Sequence, residues 1–481
     1  MTDLAPAKKN TMYYIHSVIA LCIMLFGRFI PVQYPFTPEG MMVLAVLIGA
    51  IYMYILGELF WPSTIALLII GLSDLATVNG MFVSLFSNGS FMFLAVLFLF
   101  VAYLGQVGFA QTLALKILSA KISKGRPWTL TFLLLFATFL PATIMSVSAT
   151  LVMLLPLLYS ICDEVGMSKT SKWPVLMALG MASACSFALF FWPFQLGMVA
   201  LGGLVDAAGF PGGIPFGQVV LSNAILVGLC LVALWLIIRI LKPDVTALYK
   251  YTPPTEKVTF NSEQRFAMVL VCLLLGLLIV PQFLPDGALN DFLGQFGMVA
   301  IVSFLLFVGT LLRKKDGKPY IDIAAAAREG LERWALLVMI GSVLVITGIL
   351  TGPATGFVEL LVLHLGPIFG AVSPVVFSIV VLVAALILTI FLTGPNVYAI
   401  MVPVVVPTAM ALGFNVWAIL APFLLVANIG IVLPPGHPLA AIIHAHELIG
   451  GKNTVKYMPL FMAAFFIIAI VIGIPVGRLI F

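Results

Sequence analysis

The sequence predicts an all-α, polytopic membrane protein made of two inverted repeats, with about 11 transmembrane helices and two re-entrant helical hairpins. Hydrophobic residues make up 63% of the chain, charged residues make up 9%, and the mean hydropathy is +1.21. Globular domains carry about 25% charged residues, so this composition excludes a soluble fold. Two long apolar runs with the same pattern of interruptions predict the repeat.

The breaks in these two runs lie 247 residues apart. Each run opens on a proline, reaches small or hydroxyl-bearing residues near its middle, and continues to a second proline and a glycine. The matched positions are 127/374, 146/393, 156/403 and 166/413. In lipid an interrupted backbone survives only where protein or a polar cavity surrounds it. Paired interruptions in matching halves therefore point to the binding site of a secondary transporter.

Apolar runs of about 20 residues can cross a membrane. The sequence predicts such spans at 12–30, 40–57, 60–76, 90–108, 174–200, 217–240, 266–283, 294–312, 335–352, 417–443 and 458–480. The two interrupted runs, near 127–160 and 374–408, are predicted to enter and leave the membrane on one side. The five cysteines show no metal-type or paired spacing and are interpreted as small apolar helix residues.

The basic residues support this layout. With a cytoplasmic N-terminus and an external C-terminus, only Arg28 and Arg478 lie outside, and either hairpin counted as a full crossing would destroy this bias. We therefore expect a multi-pass protein of the cytoplasmic membrane, whose net charge of +5 reflects orientation and not a nucleic-acid partner. The 21 cytoplasmic residues are Lys8, Lys9, Lys116, Lys121, Lys124, Arg126, Lys169, Lys172, Arg239, Lys242, Lys250, Lys257, Arg265, Arg313, Lys314, Lys315, Lys318, Arg328, Arg333, Lys452 and Lys456.

The predicted domains follow from the spans. They are an N-terminal segment with the first helix (1–39), a first repeat (40–242), a cytoplasmic linker (243–265) and a second, inverted repeat (266–481). Residues 110–124 predict an amphipathic helix along the cytoplasmic face, just before the inner hairpin.

The candidate substrate site combines the hairpin tips with the irregular spans that follow them. Three prolines and a glycine within residues 434–438 cannot continue a helix, so the span 417–443 is predicted to unwind near its middle. Hydroxyls and freed backbone groups at such breaks can hold an anion or a small cation, although small residues also permit close helix packing. His437 is the protonatable group placed at the centre of the site. The predicted substrate-binding residues are Ser146, Ser148, Thr150, Trp192, Gln195, Thr393, Asn396, His437 and Pro438.

At these motifs the chain resembles the divalent anion/sodium symporter family, carriers of di- and tricarboxylates or sulfate within the wider ion-transporter superfamily. Family members carry Ser-Asn-Thr at each hairpin tip, ten residues ahead of a proline. Ser146-Val147-Ser148 and Thr393-Gly394-Pro395 stand in those places, ahead of Pro156 and Pro403. The Thr-Pro breaks of the family are similar to Trp192-Pro193-Phe194-Gln195 and His437-Pro438-Leu439-Ala440. The resemblance covers roughly residues 40 to 481 in element order.

The resemblance implies a scaffold domain, a moving transport domain, elevator-type movement and a homodimer formed through the scaffolds. It also implies sodium sites at the tips, for which the candidate ligands are Ser146, Ser148, Thr393 and Asn396. The chain departs from the family pattern: Val147 and Gly394 replace the tip asparagines, and Trp192 and His437 replace the threonines of the breaks. Proton uptake by His437, or exchange without a coupling ion, therefore stands as an alternative to sodium coupling.

These observations predict a secondary active transporter of a small organic or divalent anion, of the C4-dicarboxylate class, that works by alternating access. The alternatives are a proton-coupled or exchange transporter of sulfate or a monocarboxylate, and an uncoupled anion channel or membrane scaffold. A channel would show a continuous polar stripe along several spans. A membrane enzyme would need a catalytic partner for His437, so no enzyme is predicted. The expected partners are a small anion, membrane lipid and a second copy of the chain.

Overall fold

A computed structural model describes residues 11–210, 213–253, 258–283, 287–370 and 372–481. The repeated secondary structure in these ranges is helical. Ten helices there are long and apolar enough to cross a membrane, or up to eleven if a bent pair of helices is one span. This confirms the prediction of an all-α, multi-pass membrane protein. The predicted cytoplasmic residues Lys8, Lys9 and Lys257 lie outside the described ranges.

The helices of the first half are α1 (Thr11–Phe26), α2 (Pro38–Ile55), α3 (Phe60–Gly71), α4 (Val78–Ser87), α5 (Gly89–Gln106), α6 (Phe109–Leu118), α7 (Pro127–Ala142), α8 (Val147–Val165), α9 (Lys172–Phe191), α10 (Leu196–Ala207) and α11 (Phe216–Ile240). Those of the second half are α12 (Ser262–Ile279), α13 (Ala288–Leu311), α14 (Ile323–Gly330), α15 (Trp334–Leu350), α16 (Phe357–Phe369), α17 (Pro374–Thr389), α18 (Gly394–Ala411), α19 (Val416–Ala427), α20 (Pro438–Ala445), α21 (Gly450–Ile468) and α22 (Ile474–Ile480). Counted from α2 and α12, the two halves run through the same order of helices.

The prediction of a single span at 60–76 is wrong in its length. The helix α3 has 12 residues, about 18 Å, which is too short to cross the apolar core of a bilayer. It stops at Gly71, where a Cβ atom would lie 2.7 Å from the Cα of Val78. The Thr77 side chain then accepts a backbone N–H and starts α4. The turn contains Ser73 and Asp74, which the prediction of one continuous span passed over.

Each interrupted run forms two helices joined by a short turn, as predicted. The arms α7 and α17 both begin with a proline. After the second arms, Gly166 and Gly413 adopt the left-handed conformation, with φ of 69° and 68°. The same backbone hydrogen bond then closes both ends: Met167 donates to the carbonyl of Cys162, and Phe414 donates to that of Ala409, each over 2.8 Å. The hairpins therefore match in local structure as well as in sequence.

A short helix precedes each hairpin and begins at a left-handed glycine. Gly108 (φ 63°) starts α6, which confirms a helix within 110–124, and Gly356 (φ 65°) starts α16. The two glycines have different surroundings. A Cβ on Gly356 would lie 1.8 Å from the carbonyl oxygen of Pro35, whereas a Cβ on Gly108 would lie 3.9 Å from the Nε2 of Gln264.

The linker between the halves is attached to the start of α6. Asn261 and Gln264 form a reciprocal cap at the beginning of α12. The Gln264 side chain also donates to the Val107 carbonyl over 3.0 Å and to the Thr112 hydroxyl over 2.9 Å. The end of the linker is thus bonded to the segment that carries the first hairpin.

The spans that follow the hairpins are broken. In the first half, α9 ends at Phe191 and α10 starts at Leu196. In the second half, α19 ends at Ala427 and α20 starts at Pro438. This confirms the predicted unwinding inside 417–443.

The two halves pack against each other reciprocally. The helix α10 lies against α18, while α20 lies against α8. In the same way α4 contacts α15, and α14 contacts α5. Small residues allow two of these approaches: a Cβ on Gly341 of α15 would lie 2.4 Å from the Leu85 side chain of α4, and one on Gly330 of α14 would lie 3.0 Å from the Phe98 backbone of α5. Each broken span is therefore positioned beside the hairpin of the other half.

We expect Gly356→Ala to destabilise the protein more than Gly108→Ala. In both variants the alanine must adopt the left-handed backbone conformation, which lowers stability by about 1–2 kcal/mol. Only Gly356→Ala must also displace the Pro35 backbone, and such overpacking typically costs about 1–3 kcal/mol more. Thermal unfolding in detergent measures the difference, and equal melting temperatures for the two variants would contradict the described contact at Gly356.

Candidate functional site

The first hairpin tip, residues 143–146, is bonded to the break that follows it in the chain. The side-chain amide of Gln195 donates a hydrogen bond to the carbonyl of Thr143, just after the end of α7. Gln195 is also the residue that precedes α10. A helix end leaves backbone groups without intrahelical partners, so this bond satisfies one of them. It brings the first tip and the first break into one region.

The predicted hydroxyls of the first tip differ in what they contact. Thr150 is fully buried, and its hydroxyl donates to the Ser146 carbonyl over 2.9 Å within the helix. Ser146 and Ser148 are half-buried, and Ser146 precedes α8 without a side-chain cap. Ser146 and Ser148 are therefore better placed than Thr150 to offer a hydroxyl to a ligand.

The second tip, residues 390–393, leads into α18. Thr393 precedes this helix, is half-buried, and makes no capping hydrogen bond. Asn396 lies in the first turn and is 3% exposed, and its Oδ1 has no hydrogen-bond partner among the described residues. A buried polar atom without a partner costs about 1–3 kcal/mol. The position is suited to a ligand, an ion or a water that would donate to or coordinate this oxygen.

The second break is packed tightly against the end of α17. A Cβ on Gly430 would lie 1.8 Å from the Thr389 carbonyl oxygen, and one on Gly436 would lie 2.6 Å from that of Ile390. The Thr389 hydroxyl donates to the Ala427 carbonyl over 2.9 Å. The unwound segment is thus held in place by the hairpin of its own half, as the first break is.

Asn428 links the second tip to the second break. Its Nδ2 donates to the Tyr398 hydroxyl and, over 2.8 Å, to the Leu424 carbonyl. A Cβ on Gly394 would lie 2.5 Å from the Asn428 Oδ1. Gly394 stands where the resembled family has its tip asparagine, so the Asn428 side chain fills space that an asparagine side chain at 394 would need. Sequence reasoning missed this role, because no spacing rule predicts that residue 428 reaches the tip.

His437 caps the helix that follows the second break. It is 2% exposed, and its Nδ1 accepts the Leu439 backbone N–H over 3.1 Å. Pro438, the exposed first residue of α20, has no N–H to satisfy. With Nδ1 as the acceptor, the neutral ring carries its proton on Nε2, a buried atom without a partner among the described residues. His437 therefore offers a hydrogen-bond donor, and protonation of Nδ1 would break the cap.

Trp192 belongs to an aromatic cluster at the first break. Its ring is parallel to that of Phe194 (centroids 6.2 Å apart, 10°) and meets Phe191 edge-on at 4.8 Å. Phe191 in turn contacts Phe139 of the first hairpin at 5.1 Å. Half-buried Trp192 thus borders the tip region through apolar contacts.

Asn223 is a further residue at this break that sequence reasoning missed. Its Nδ2 donates to the carbonyls of Phe190 (2.6 Å) and Phe191 (3.3 Å), where α9 ends. Its Oδ1 is buried and without a partner among the described residues. An amide inside the apolar helix Phe216–Ile240 was the available signal, since polar residues within spans are functional candidates.

Within the described parts of the chain, no group of three His, Cys, Asp or Glu side chains could hold a metal ion. The oxygen atoms near the tips are hydroxyls, amides and backbone carbonyls, which suit a hard cation such as sodium better than a transition metal.

A family model described as a citrate transporter matches residues 40–318. The fold is similar to that of the Alcanivorax borkumensis YdaH transporter, described as having an unusual topology, with 18% identity, a TM-score of 0.56, and coverage of 90% of this chain and 97% of that one. It is also similar to MtrF of Neisseria gonorrhoeae, described with a class of antimetabolite efflux pumps, with 14% identity, a TM-score of 0.59, and coverage of 99% and 95%. No curated protein matches the sequence.

We expect His437→Ala to lower the free energy of unfolding by about 1 kcal/mol, because it removes a helix cap. His437→Thr keeps a capping acceptor and is expected to retain most of this stability. Thermal unfolding of both variants in detergent tests the capping role, and an equal loss of stability in both would argue against it.

Proposed function

We propose that this chain, which belongs to the citrate transporter family, is a secondary active transporter of a small organic or divalent anion. It is a membrane transporter with about 10 apolar helices in its described part. The observation that carries the proposal is the pair of tip-and-break units. Each tip is bonded to the break of its own half, and each break lies against the hairpin of the other half.

The helix ends at these units supply the chemistry for an anion. The helices α8, α10 and α18 begin there without a side-chain cap, so their first N–H groups are available to a negative charge. Ser146, Ser148 and Thr393 would add hydroxyl donors, and His437 would add its Nε2–H. Gln195 would hold the first tip, and Trp192 would border the apolar part of the substrate.

The leading substrate class is a C4-dicarboxylate or a related carboxylate such as citrate, the substrate in the family's description. The alternative is sulfate, or a monocarboxylate whose apolar part Trp192 would contact. An uncoupled anion channel is the rival mechanism. Close packing of the breaks against the hairpin ends supports a closed, alternately exposed site over an open pore.

Sodium coupling through Ser146, Ser148, Thr393 and Asn396 is supported by the unpartnered Asn396 Oδ1. Exchange without a coupling ion is the second possibility. Proton uptake at His437 is less well supported. Its Nδ1 lone pair accepts the Leu439 N–H, and a proton on Nδ1 would occupy that lone pair.

We further propose elevator movement, in which α6–α11 and α16–α22 carry the site past a scaffold of α1–α5 and α12–α15. This proposal includes the inverted orientation of the two repeats. It also includes the domain limits 1–39, 40–242, 243–265 and 266–481. Its remaining parts are a homodimer through the scaffolds, location in the cytoplasmic membrane, and a cytoplasmic N-terminus with an external C-terminus.

Ligand-induced thermal stabilisation tests the function. A ligand at a hundredfold excess over its Kd stabilises the folded state by about 2.7 kcal/mol. We expect succinate or citrate to raise the melting temperature, and more strongly with sodium than with potassium. Sulfate, a monocarboxylate and two pH values complete the panel. Stabilisation by no anion under any condition would refute the proposal.

Replacing the tip hydroxyls tests the site. We expect Ser146→Ala and Thr393→Ala each to weaken anion binding by about tenfold, since a hydrogen bond to a charged group contributes about 1.5–3 kcal/mol. Matched controls are Thr138→Ala and Thr408→Ala on arms of the same hairpins, because these hydroxyls donate to Leu134 and Val404 within their helices. If the tip variants bind the anion with the same affinity as the controls, the tip hydroxyls serve helix packing and not substrate binding.

A further inference from the structure

An open cleft lies beside the first hairpin tip and is lined by two charged residues, Glu329 and Arg333, that the proposed site has not used. One wall is the tip itself, with Met145, Ser146 and Ala149. The second wall is a face of α5, from Phe98 to Gly105, and the third is the end of α14 with Glu329 and Arg333. The cleft thus lies between a tip that carries candidate ligands and the helices of the proposed scaffold.

Arg333 is a half-buried cation beside this cleft; Glu329 and Glu332 lie near enough to act on its charge, but neither forms a direct ion pair with it among the described residues. The ion pairs of the described residues join Lys169 to Asp163 and Lys314 to Glu263. The guanidinium of Arg333 instead lies 5.5 Å from the centre of the Phe98 ring, and stacking on an aromatic face leaves its edge donors free. Glu329 is held on the α5 side, where its Oε2 accepts the Gln106 amide over 3.1 Å.

We propose that Arg333 binds one carboxylate of a di- or tricarboxylate while the first tip, at Ser146, holds another. This inference rests on the proposed function and assigns a specificity-determining residue to it. A guanidinium matches a carboxylate through two parallel hydrogen bonds. The charges of Glu329 and Glu332 partly offset that of Arg333, so carboxylate binding here depends on the paired guanidinium donors more than on the net charge of the cleft. A substrate with a single carboxylate cannot satisfy the tip and Arg333 together.

The corresponding position of the first half carries no charge. Arg333 directly precedes α15, as Asn88 directly precedes α5, and a short helix stands before each of them. The Asn88 side chain accepts the Phe91 N–H over 3.1 Å and serves as a helix cap. The distribution of basic residues places Arg333 on the cytoplasmic side. A site that faces the cytoplasm therefore lies beside the guanidinium of Arg333. A site that faces outside would lie beside the neutral amide of Asn88 at the matching position.

The test compares Arg333→Gln with Arg328→Gln, which removes an exposed charge from the preceding helix, α14. The probes are succinate and succinamate, its monoamide, with citrate and sulfate alongside. Binding is measured by thermal stabilisation of the full-length protein, and uptake is measured in right-side-out and inside-out membrane vesicles. We expect Arg333→Gln to weaken succinate binding about ten- to hundredfold, to change succinamate binding little, and to raise KM mainly in inside-out vesicles. Arg328→Gln is expected to match the wild type.

Arg333→Lys keeps the charge but loses the paired donors, and its expected succinate affinity is intermediate. If Arg333→Gln does not fold, the succinate affinity of this milder variant tests the role of Arg333 instead. Equal succinate affinity in the Arg333 and Arg328 variants would overturn the inference and leave the transport function intact. Wild-type stabilisation by sulfate alone would also overturn it. A wild type that binds none of the four anions would instead refute the proposed function.

Discussion

The requirement that every backbone polar group inside a membrane has a partner governs this structure. The two hairpin turns and the two breaks leave carbonyl and amide groups without helical partners. In a membrane, water is less available to such groups than it is to a surface loop. Side chains satisfy several of them: Gln195 and Asn223 donate to carbonyls at the first tip and first break, Thr389 donates across the second, and His437 accepts at the start of α20. The polar residues at the tips and breaks therefore have a structural role: they provide hydrogen-bond partners for backbone groups that an interrupted helix leaves unpaired.

Close packing follows from the same requirement. Carbonyls at the end of α17 approach the second break so closely that Gly430 and Gly436 leave no room for a Cβ. The reciprocal contacts of α10 with α18 and of α20 with α8 then join the two units across the halves. Among the buried polar atoms without a partner in the described residues, Asn396 Oδ1 and His437 Nε2 lie within these two units, and the proposed function assigns them to a ligand.

The sequence predicted the fold well and the site only in outline. Hydropathy, the 247-residue offset and the prolines near 434–438 were sufficient for most spans, both hairpins and the second break, because each follows from local chemistry. The turn after α3 was missed, although Ser73 and Asp74 mark it in the sequence. Asn428 and Arg333 were not placed at the site, because their roles depend on which helices meet in space. The family match ends at residue 318, so it includes the first tip but not the second, and the chain departs from the resembled motif at both tips.

The position of Asn428 has a mechanical consequence. In the resembled family the tip asparagine would travel with its hairpin, whereas here the amide belongs to the segment after α19 and is bonded to Tyr398 on α18. Any swing of the second hairpin away from its break must rupture that buried hydrogen bond and leave the amide behind. The hydrogen bond therefore ties the second hairpin to its break, so the two are expected to move together.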